Sequence, residues 1–319
     1  MVYLDLVGRC GNQLFQYAYA RLLMQERADG ALTVNTHELS INDGGDYWYN
    51  SLRLFNTIDF SEENSSIPSV MIYGSPLQKI LYRVKCLLDI IVRNKESYIY
   101  IWLDKLTFSL FSQFGLYFLR MGYSAHRRSK AQNVFIYGYF EDKRWPDKVY
   151  DLIKIEVVPE CAEESALLDF VNEGYEPVCM SLRRWELDVA DVEERDNKNV
   201  CTLEYYSEAV RIIKNHIYNP LFYVCSDDIE WAKDKISDLL KGFKVIYETG
   251  DDSLAQKLYK MSSCKAFVLS NSTFCWWAQY LADQKDVLVI SPSTWSAKSI
   301  DRHLIDDKWI TIDTGYNHA

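Results

Sequence analysis

The sequence lacks the short motifs that identify several large protein classes. It has no G-x-G-x-x-G and no G-K-[ST], so neither a dinucleotide fingerprint nor a Walker loop is present. The eight cysteines form no C-x-x-C pair, and several lie in apolar runs. We therefore interpret them as free thiols in a reducing cytoplasm.

Groupings typical of a metal site are also absent. There is no D-x-D, and the five histidines are scattered along the chain. Because Mg²⁺ and Mn²⁺ take closely spaced oxygen ligands, we expect neither a metal ion nor another cofactor.

Positive charge is scarce. The chain has 35 Lys and Arg against 45 Asp and Glu, a formal net charge of -10. Nucleic-acid binding needs a basic face, so we expect no nucleic-acid partner. The first residues show no basic segment followed by an apolar one, so no export signal is visible, and we expect a cytoplasmic location.

No apolar run is both long and free of charge. The aromatic-rich residues 97–121 are interrupted by Asp104 and Lys105, so we expect no transmembrane segment. We interpret this stretch as a buried or half-buried helix of the first domain. A peripheral membrane contact is the alternative that its composition leaves open.

The 319 residues, 48% of them hydrophobic, are enough for two domains with cores. In the second half, apolar runs alternate with helical patterns, which predicts a doubly wound parallel sheet. The runs are at residues 177–182, 221–225, 243–247, 266–269 and 287–290. The first half is a less regular α/β region with extra helices at 77–94 and 97–121. We expect domains at 1–173 and 174–319, with the boundary near Gly174.

Polar clusters follow three of these predicted strands. Functional loops of parallel sheets lie at the carboxyl ends of the strands, so the three clusters predict one crevice. They are "SLRRWEL" at 181–187, "SDD" at 226–228 and "SNSTF" at 270–274.

The first cluster contains Arg183 and Arg184. A guanidinium presents a planar fork of donors and suits a diphosphate. Adjacent strand residues point in opposite directions, so we expect at most one arginine to aim at the crevice while the other binds protein carboxylates. A solvated surface is the alternative.

The other two clusters have a double interpretation. Ser226 is a natural helix cap, and Asp227 and Asp228 favour the positive end of a helix, yet a carboxylate there also suits a purine or ribose. The cluster at 270–274 could bind phosphate at a helix N-terminus or simply cap that helix. Its candidate residues are Asn271, Ser272, Thr273 and Phe274. We expect Trp276 and Trp277, just beyond, to pack in the core.

The first turn of the chain, in "GRCGNQLFQYAYARLL" at 8–23, repeats this geometry in the other domain. Gly8 and Gly11 allow a ligand to approach the main chain. Asn12 and Gln13 supply donors at the head of the following helix.

Together, these motifs resemble those of the α-1,2-fucosyltransferases, family 11 of the glycosyltransferases, in order and rough spacing. The segments "GYFEDKRW" and "CTLEYYSEAV" are similar to further family segments. The resemblance implies a two-domain fold of the glycosyltransferase B type, GDP-L-fucose as donor, a galactose-terminated glycan as acceptor, and inversion without a metal. It implies that Arg184 holds the β-phosphate and that the Gly11–Gln13 loop faces the donor across a cleft.

The sequence departs from the family pattern H-x-R-R-x-D at its arginine motif. Ser181 stands in place of the histidine, Glu186 in place of the aspartate, and Trp185 is a bulky neighbour. Serine supplies no imidazole chemistry, so either the chain lacks that base or the position is structural. Glu186 and Asp188 are candidate bases by position. Two alternatives stay open: a degenerate member that binds a glycan or GDP without turnover, and a transferase that uses another GDP-sugar.

Overall fold

The computed structural model of the protein describes residues 1–41, 49–92, 97–158, 171, 173–187, 189–282, 287–298 and 303–315. The chain divides into two compact units, Met1–Val157 with Ile300–His303 and Val158–Ser299 with Leu304–Ala319. This division precedes the boundary expected between 173 and 174. The expected boundary was placed just before the first regular strand of the second half. In the structure, the chain packs against the first unit as far as Glu156, whose carboxylate binds Arg21 at 2.7 Å and Tyr17 at 2.7 Å.

The first unit is built on a five-stranded parallel sheet of order β3-β2-β1-β5-β4. Its strands are β1 (Val2–Asp5), β2 (Leu32–Asn35), β3 (Ser61–Glu63), β4 (Leu116–Phe118) and β5 (Val134–Tyr137). Its helices are α1 (Cys10–Arg27), α2 (His37–Ile41), α3 (Ser69–Tyr73), α4 (Pro76–Ile91), α5 (Tyr98–Phe111), α6 (Arg144–Asp147) and α7 (Tyr150–Glu156), with 3₁₀ turns at Ser51–Leu54 and Ser112–Phe114.

Helix α1 is buried along most of its length, because aromatic side chains surround it. Tyr19 stacks on Phe140 with ring centroids 4.3 Å apart and meets Trp145 edge-on at 4.8 Å. The helix ends at Arg27, and its C-cap, Ala28, adopts a left-handed conformation with φ of 51°. The first turn of the helix is buried as well, at Cys10, Gly11 and Gln13.

The helix expected over 97–121 is shorter in the structure, and that prediction is wrong beyond its first part. α5 ends at Phe111, a 3₁₀ turn follows, and Leu116–Phe118 form strand β4. Gly115 stops the helix with φ of +82°, where a Cβ would lie 3.0 Å from Val134 Cγ1. The helix expected at 77–94 corresponds to α4.

The second unit is built on a six-stranded parallel sheet of order β11-β10-β9-β6-β7-β8, which confirms the predicted architecture. Its strands are β6 (Glu176–Leu182), β7 (Pro220–Ser226), β8 (Lys244–Tyr247), β9 (Ala266–Val268), β10 (Leu288–Pro292) and β11 (Ile310–Ile312). Its helices are α8 (Val192–Lys198), α9 (Leu203–His216), α10 (Ile229–Ile236), α11 (Leu254–Ser262) and α12 (Thr273–Leu281), with a 3₁₀ turn at Trp185–Leu187.

The register of this sheet sets which strand ends lie together. β6 pairs with β7 so that Leu182 is opposite Ser226, and it pairs with β9 so that Met180 is opposite Val268. The three polar clusters therefore leave the sheet side by side at its carboxyl edge. The core placement of Trp276 and Trp277 is also confirmed, since both are buried.

The cysteines of the described chain are free thiols, as expected, whereas Cys161 lies outside the described residues. Burial raises the pKa of Cys10 and of Cys201 to about 12, so both thiols stay protonated near neutral pH. Among the residues that the structure describes, none of the helices combines the length and the hydropathy needed to cross a bilayer.

Candidate functional site

Arg183 directly follows strand β6, and protein groups hold its guanidinium. Nη1 lies 2.8 Å from Asp227 Oδ2, and the side chain is only 15% exposed. The guanidinium carbon also lies 5.0 Å from the centre of the Trp185 ring. Arg183 therefore joins the ends of β6 and β7 through a largely buried ion pair.

Arg184 is held less completely than its neighbour. Its backbone N–H donates to Asp227 Oδ1 at 2.9 Å, and Nη1 donates to Asp228 Oδ2 at 2.5 Å. The side chain is 35% exposed, and Nε is buried without a hydrogen-bond partner among the described residues. A guanidinium carries five N–H donors, so Arg184 keeps donor capacity for an anion. Both arginines thus bind carboxylates, and Arg184 is the more accessible of the two.

The two aspartates that hold these arginines, Asp227 and Asp228, directly precede helix α10. Asp228 is its N-cap, with Oδ1 accepting from the Trp231 N–H at 3.0 Å. That N–H, and then the Arg184 guanidinium, lower the pKa of Asp228. The expectation that Ser226 caps the helix is wrong, because the helix begins later. Ser226 Oγ instead accepts from the Asp228 N–H at 3.1 Å and supports the turn.

Ser181, which occupies the histidine position of the family pattern, is buried between strands. Its Oγ accepts from the Ser270 N–H at 2.8 Å and lies 3.1 Å from Ser270 Oγ. Ser181 is 4% exposed and Ser270 is 1% exposed. The hydroxyl therefore fastens the end of β6 to the segment after β9, which is a structural role.

Asn271 supports the arginine loop from the neighbouring strand end. Nδ2 donates to the carbonyls of Lys198 at 2.7 Å and Trp295 at 2.9 Å, and Oδ1 accepts from Trp185 Nε1 at 3.2 Å. Both amide N–H groups of this buried side chain are used within the protein. We therefore assign Asn271 to positioning Trp185, under the Arg183 guanidinium.

The remaining residues of this cluster open helix α12. Ser272 is the N-cap, with Oγ accepting from the Phe274 N–H at 3.3 Å. Ser272, Thr273 and Phe274 are all half-buried. The structure thus places this helix start at the same sheet edge as Arg184, and its predicted contact with a phosphate stays a prediction.

Of the two candidate bases, the structure describes Glu186. Glu186 lies in the 3₁₀ turn Trp185–Leu187, is exposed, and accepts from Asn199 Nδ2 at 3.4 Å. Asp188 lies outside the described residues. The assignment of Glu186 to catalysis stays a prediction.

In the first unit, the turn between β1 and α1 is shaped by its polar side chains. Gly8 has φ of +72°, and a Cβ there would meet Asn12 Nδ2 at 2.6 Å, so another residue would strain the backbone and displace the Asn12 side chain. Gln13 is fully buried: Nε2 donates to the carbonyls of Gly8 and Tyr49, both at 2.9 Å, and Oε1 accepts from the Ser51 N–H at 2.8 Å.

These contacts separate the residues of the predicted Gly11–Gln13 loop. Gln13 has both amide N–H groups committed to carbonyls, so we assign it to shaping the turn. Asn12 is half-buried and Gly11 is buried. The helix begins after Arg9 without a side-chain cap. Gly11 and Asn12 remain the residues of this turn predicted to face the donor.

A cluster that sequence reasoning missed lies at the carboxyl edge of the first sheet. Asp5 ends β1, and Ser69 Oγ and N–H donate to its carboxylate at 2.5 and 3.2 Å. Burial raises the pKa of Asp5 to about 6. Next to it, His37 Nε2 lies 3.5 Å from Glu38 Oε1, which also accepts from the Tyr137 hydroxyl at 3.2 Å.

The sequence offered one signal for this cluster. Asp5 ends the first predicted strand, and a charged residue within an apolar run of a buried strand is unusual. His37 and Glu38 follow strand β2, but the five histidines are widely spaced in the sequence, and this spacing gives no sign of a cluster. Among the described residues, no group of three or more His, Cys, Asp or Glu side chains is arranged to hold a metal ion.

Comparison with known proteins shows a match to one glycosyltransferase family and to two bacterial proteins. The sequence model of Glycosyl transferase family 11 matches residues 1–313. The O-antigen biosynthesis glycosyltransferase WbnK of Escherichia coli is 22% identical over 325 residues, which span 98% of this chain and 100% of that protein. An alpha-1,2-colitosyltransferase of Escherichia coli is 27% identical over 139 residues, 43% of this chain and 47% of that protein.

Solved structures agree on the fold. The NodZ alpha-1,6-fucosyltransferase, in a crystal soaked with GDP-fucose, superposes with a TM-score of 0.52 at 15% identity, covering 92% of this chain and 94% of that one. The two parallel α/β units therefore form the two-domain glycosyltransferase B-type fold that the resemblance implied.

Proposed function

Because the chain belongs to glycosyl transferase family 11, we propose that it transfers L-fucose from GDP-L-fucose to the 2-hydroxyl of a galactoside acceptor. We propose inversion at the fucose anomeric carbon, no metal ion, and a cytoplasmic setting. By the same resemblance, the second unit binds the donor and the first unit binds the acceptor.

The observation that carries this proposal is the placement of Arg184. It sits at the carboxyl edge of a parallel sheet, where ligands of such sheets bind. Asp227 fixes its backbone and Asp228 fixes one side of its guanidinium, yet the side chain remains 35% exposed. A cation that is both held and accessible is suited to a diphosphate.

This arrangement acts on the leaving group. Fucosyl transfer passes through a transition state that resembles an oxocarbenium ion, while negative charge builds on the departing GDP. A guanidinium held in place before reaction stabilises that new charge without reorganising. Because the charge develops mainly in the transition state, the effect falls on turnover more than on affinity.

The neighbouring residues support the same role. Arg183 is nearly buried against Asp227 and the Trp185 ring, so it braces the loop from which Arg184 projects. Ser272 and Thr273 open helix α12 at the same edge, where the positive end of the helix dipole favours phosphate. We propose that these residues complete the donor site.

A second candidate differs only in the sugar. The similarity to a protein named as an alpha-1,2-colitosyltransferase supports a sugar donor other than GDP-fucose as the alternative for this chain. The proposed role of Arg184 is the same for any GDP-sugar, because Arg184 would bind the diphosphate that all these donors share.

The first experiment is a donor panel. The purified protein is incubated with GDP-fucose or GDP-colitose and a set of galactosides, and GDP release and product mass are measured. Fucosylated product supports the leading proposal, and colitosylated product alone selects the second candidate. GDP binding without product from any donor would indicate a member without turnover and refute both.

Substitution of Arg184 then tests the mechanism. In Arg184→Lys the charge stays but the fork is lost, and we expect turnover to fall by about a hundredfold or more. Arg211→Lys is the matched control, because Arg211 is 64% exposed on α9 and pairs with Glu208; it should keep wild-type turnover. Excess EDTA should leave activity unchanged. An active Arg184→Lys variant removes Arg184 from this role, and inhibition by EDTA overturns the metal-free mechanism.

A further inference from the structure

Helices α4 and α5 turn their apolar side chains toward solvent. Leu87 is 59% exposed, Ile91 is 73% exposed and Trp102 is 62% exposed. The exposed apolar residues recur at the three- and four-residue spacing of one helix face. They are Leu77, Ile80, Val84, Leu87, Ile90 and Ile91 on α4, and Tyr98, Ile99, Trp102, Leu106 and Leu110 on α5. We call this set the outer apolar face.

The inward faces of the same helices are unusually polar. Lys85 Nζ is buried and lies 3.1 Å from Asp104 Oδ1 and 2.5 Å from Asp89 Oδ1. Asp89 also accepts from the Tyr100 hydroxyl at 3.1 Å, and Asp104 accepts from the Arg120 N–H at 2.8 Å. This buried ionic network joins α4 to α5, so the orientation of both helices is fixed by specific contacts.

An amphipathic helix of a globular protein normally directs its apolar stripe to the core. Here Leu81 and Tyr82 of α4 pack against the sheet core, while the larger apolar stripe lies on the opposite side. Monomeric proteins rarely expose large contiguous apolar patches, and those that do use them for binding. The outer apolar face therefore needs a partner.

The charge around these helices indicates the chemistry of that partner. Residues 76–130 contain ten Lys and Arg but three Asp and Glu, within a chain of net charge -10. Arg127 and Arg128 are exposed on the segment that follows β4, where the Arg127 N–H donates to Ser112 Oγ, directly after α5, at 2.8 Å. A segment that combines an exposed apolar face with an excess of Lys and Arg is complementary to an anionic lipid surface.

We propose that the outer apolar face docks the protein on a membrane containing anionic lipid. Trp102 and Tyr98 are residue types that favour the interface between water and lipid. Helices with an apolar face and basic flanks lie in the plane of that interface. A second copy of the chain is a poorer partner, because pairing the same surface would bring two positively charged segments together.

Sedimentation with lipid vesicles tests this proposal on the full chain without donor or acceptor. We expect the protein to bind vesicles of phosphatidylcholine with phosphatidylglycerol. Binding to pure phosphatidylcholine should be at least about tenfold weaker, because the attraction between Lys and Arg side chains and anionic headgroups is lost. High salt should weaken binding to the anionic vesicles in the same direction.

A double variant tests the apolar contribution. Leu87→Gln combined with Trp102→Gln removes two exposed anchors, and we expect binding to weaken by about tenfold or more. Since both side chains face solvent, the variant should keep the wild-type circular dichroism spectrum and melting temperature. Tyr218→Gln is the control, because Tyr218 is 98% exposed in the second unit, and it should bind vesicles as the wild type does.

Three results would overturn the proposal. The first is wild-type protein that stays in the supernatant with anionic vesicles, and the second is a double variant that binds these vesicles as well as the wild type. The third is a wild-type dimer in sedimentation velocity without lipid that the double variant dissociates, since this would assign the face to a second copy. Because vesicle binding is measured without substrates, its failure is distinguishable from failure of the proposed transfer reaction.

Discussion

Replacing Ser181 by alanine should destabilise the second unit without disabling the donor site. The hydroxyl accepts from the Ser270 N–H at 2.8 Å, and both residues are buried. Alanine leaves that N–H without its acceptor, which costs about 1–3 kcal/mol. Ser270 Oγ loses less, because it also lies 3.6 Å from Cys275 Sγ. We expect the free energy of unfolding to fall by about 2 kcal/mol.

The assay is chemical denaturation followed by tryptophan fluorescence, with turnover measured separately at a low temperature. A loss of about 2 kcal/mol corresponds to a melting temperature lowered by about 4–8 °C for a unit of this size. Turnover of the folded variant should stay within about threefold of wild type, because the Ser181 hydroxyl points between strands and is 4% exposed. Thr311→Ala is a control, since Thr311 is exposed on the edge strand β11, and it should change stability little.

Restoring the histidine of the family pattern provides the opposing test. If this position supplied a base, Ser181→His should raise turnover by about 10²–10⁴-fold. The structure predicts the reverse, because an imidazole is too large for a buried hydroxyl site and overpacking costs about 1–3 kcal/mol. A Ser181→His variant with strongly increased turnover, or a Ser181→Ala variant that is fully stable yet inactive, would refute the structural role of Ser181.

Two further predictions concern the first unit. Burial raises the pKa of Asp5 to about 6, above the ordinary 3.8, so the folded state favours the protonated form, and the stability this provides is lost as pH rises. Relative to Asp5→Asn, the wild type should lose about 3 kcal/mol between about pH 4 and pH 7 in urea titrations, and a difference that does not change with pH would contradict this. Gln13→Ala should cost about 3 kcal/mol in unfolding free energy, because it removes the acceptor of the Ser51 N–H and the donors to Gly8 and Tyr49. A cost under about 0.5 kcal/mol would show that water replaces the amide.

Arg183 and Arg184 are adjacent in sequence and chemically identical, but their surroundings make them differ in accessibility. Strand geometry predicted that at most one arginine would aim at the crevice while its neighbour would bind protein carboxylates. In the structure both bind aspartates, and they differ in accessibility, 15% for Arg183 and 35% for Arg184. Sequence alone could not make that distinction, because it depends on the Trp185 ring that covers Arg183 and on Asn271, which positions that ring.

Local sequence determined the architecture of the second unit. Buried apolar runs of strand length, each followed by a helical pattern, predict a parallel sheet, and parallel strands bring their polar ends to one edge. That is why Arg184, Asp228 and Ser272 could be placed together from the sequence. The core position of Trp276 and Trp277 followed from the same local pattern.

The tertiary structure decided what the polar side chains do. Gln13 and Asn271 look like ligand donors in a motif, but each has both amide N–H groups taken by backbone carbonyls, at least one of them from a distant part of the chain. The Asp5 cluster joins residues from separate strands and helices, and the buried Lys85–Asp104 pair joins α4 to α5, whose apolar stripes face outward. Periodicity states which residues share a face, but only long-range packing selects whether that face meets the core or the solvent.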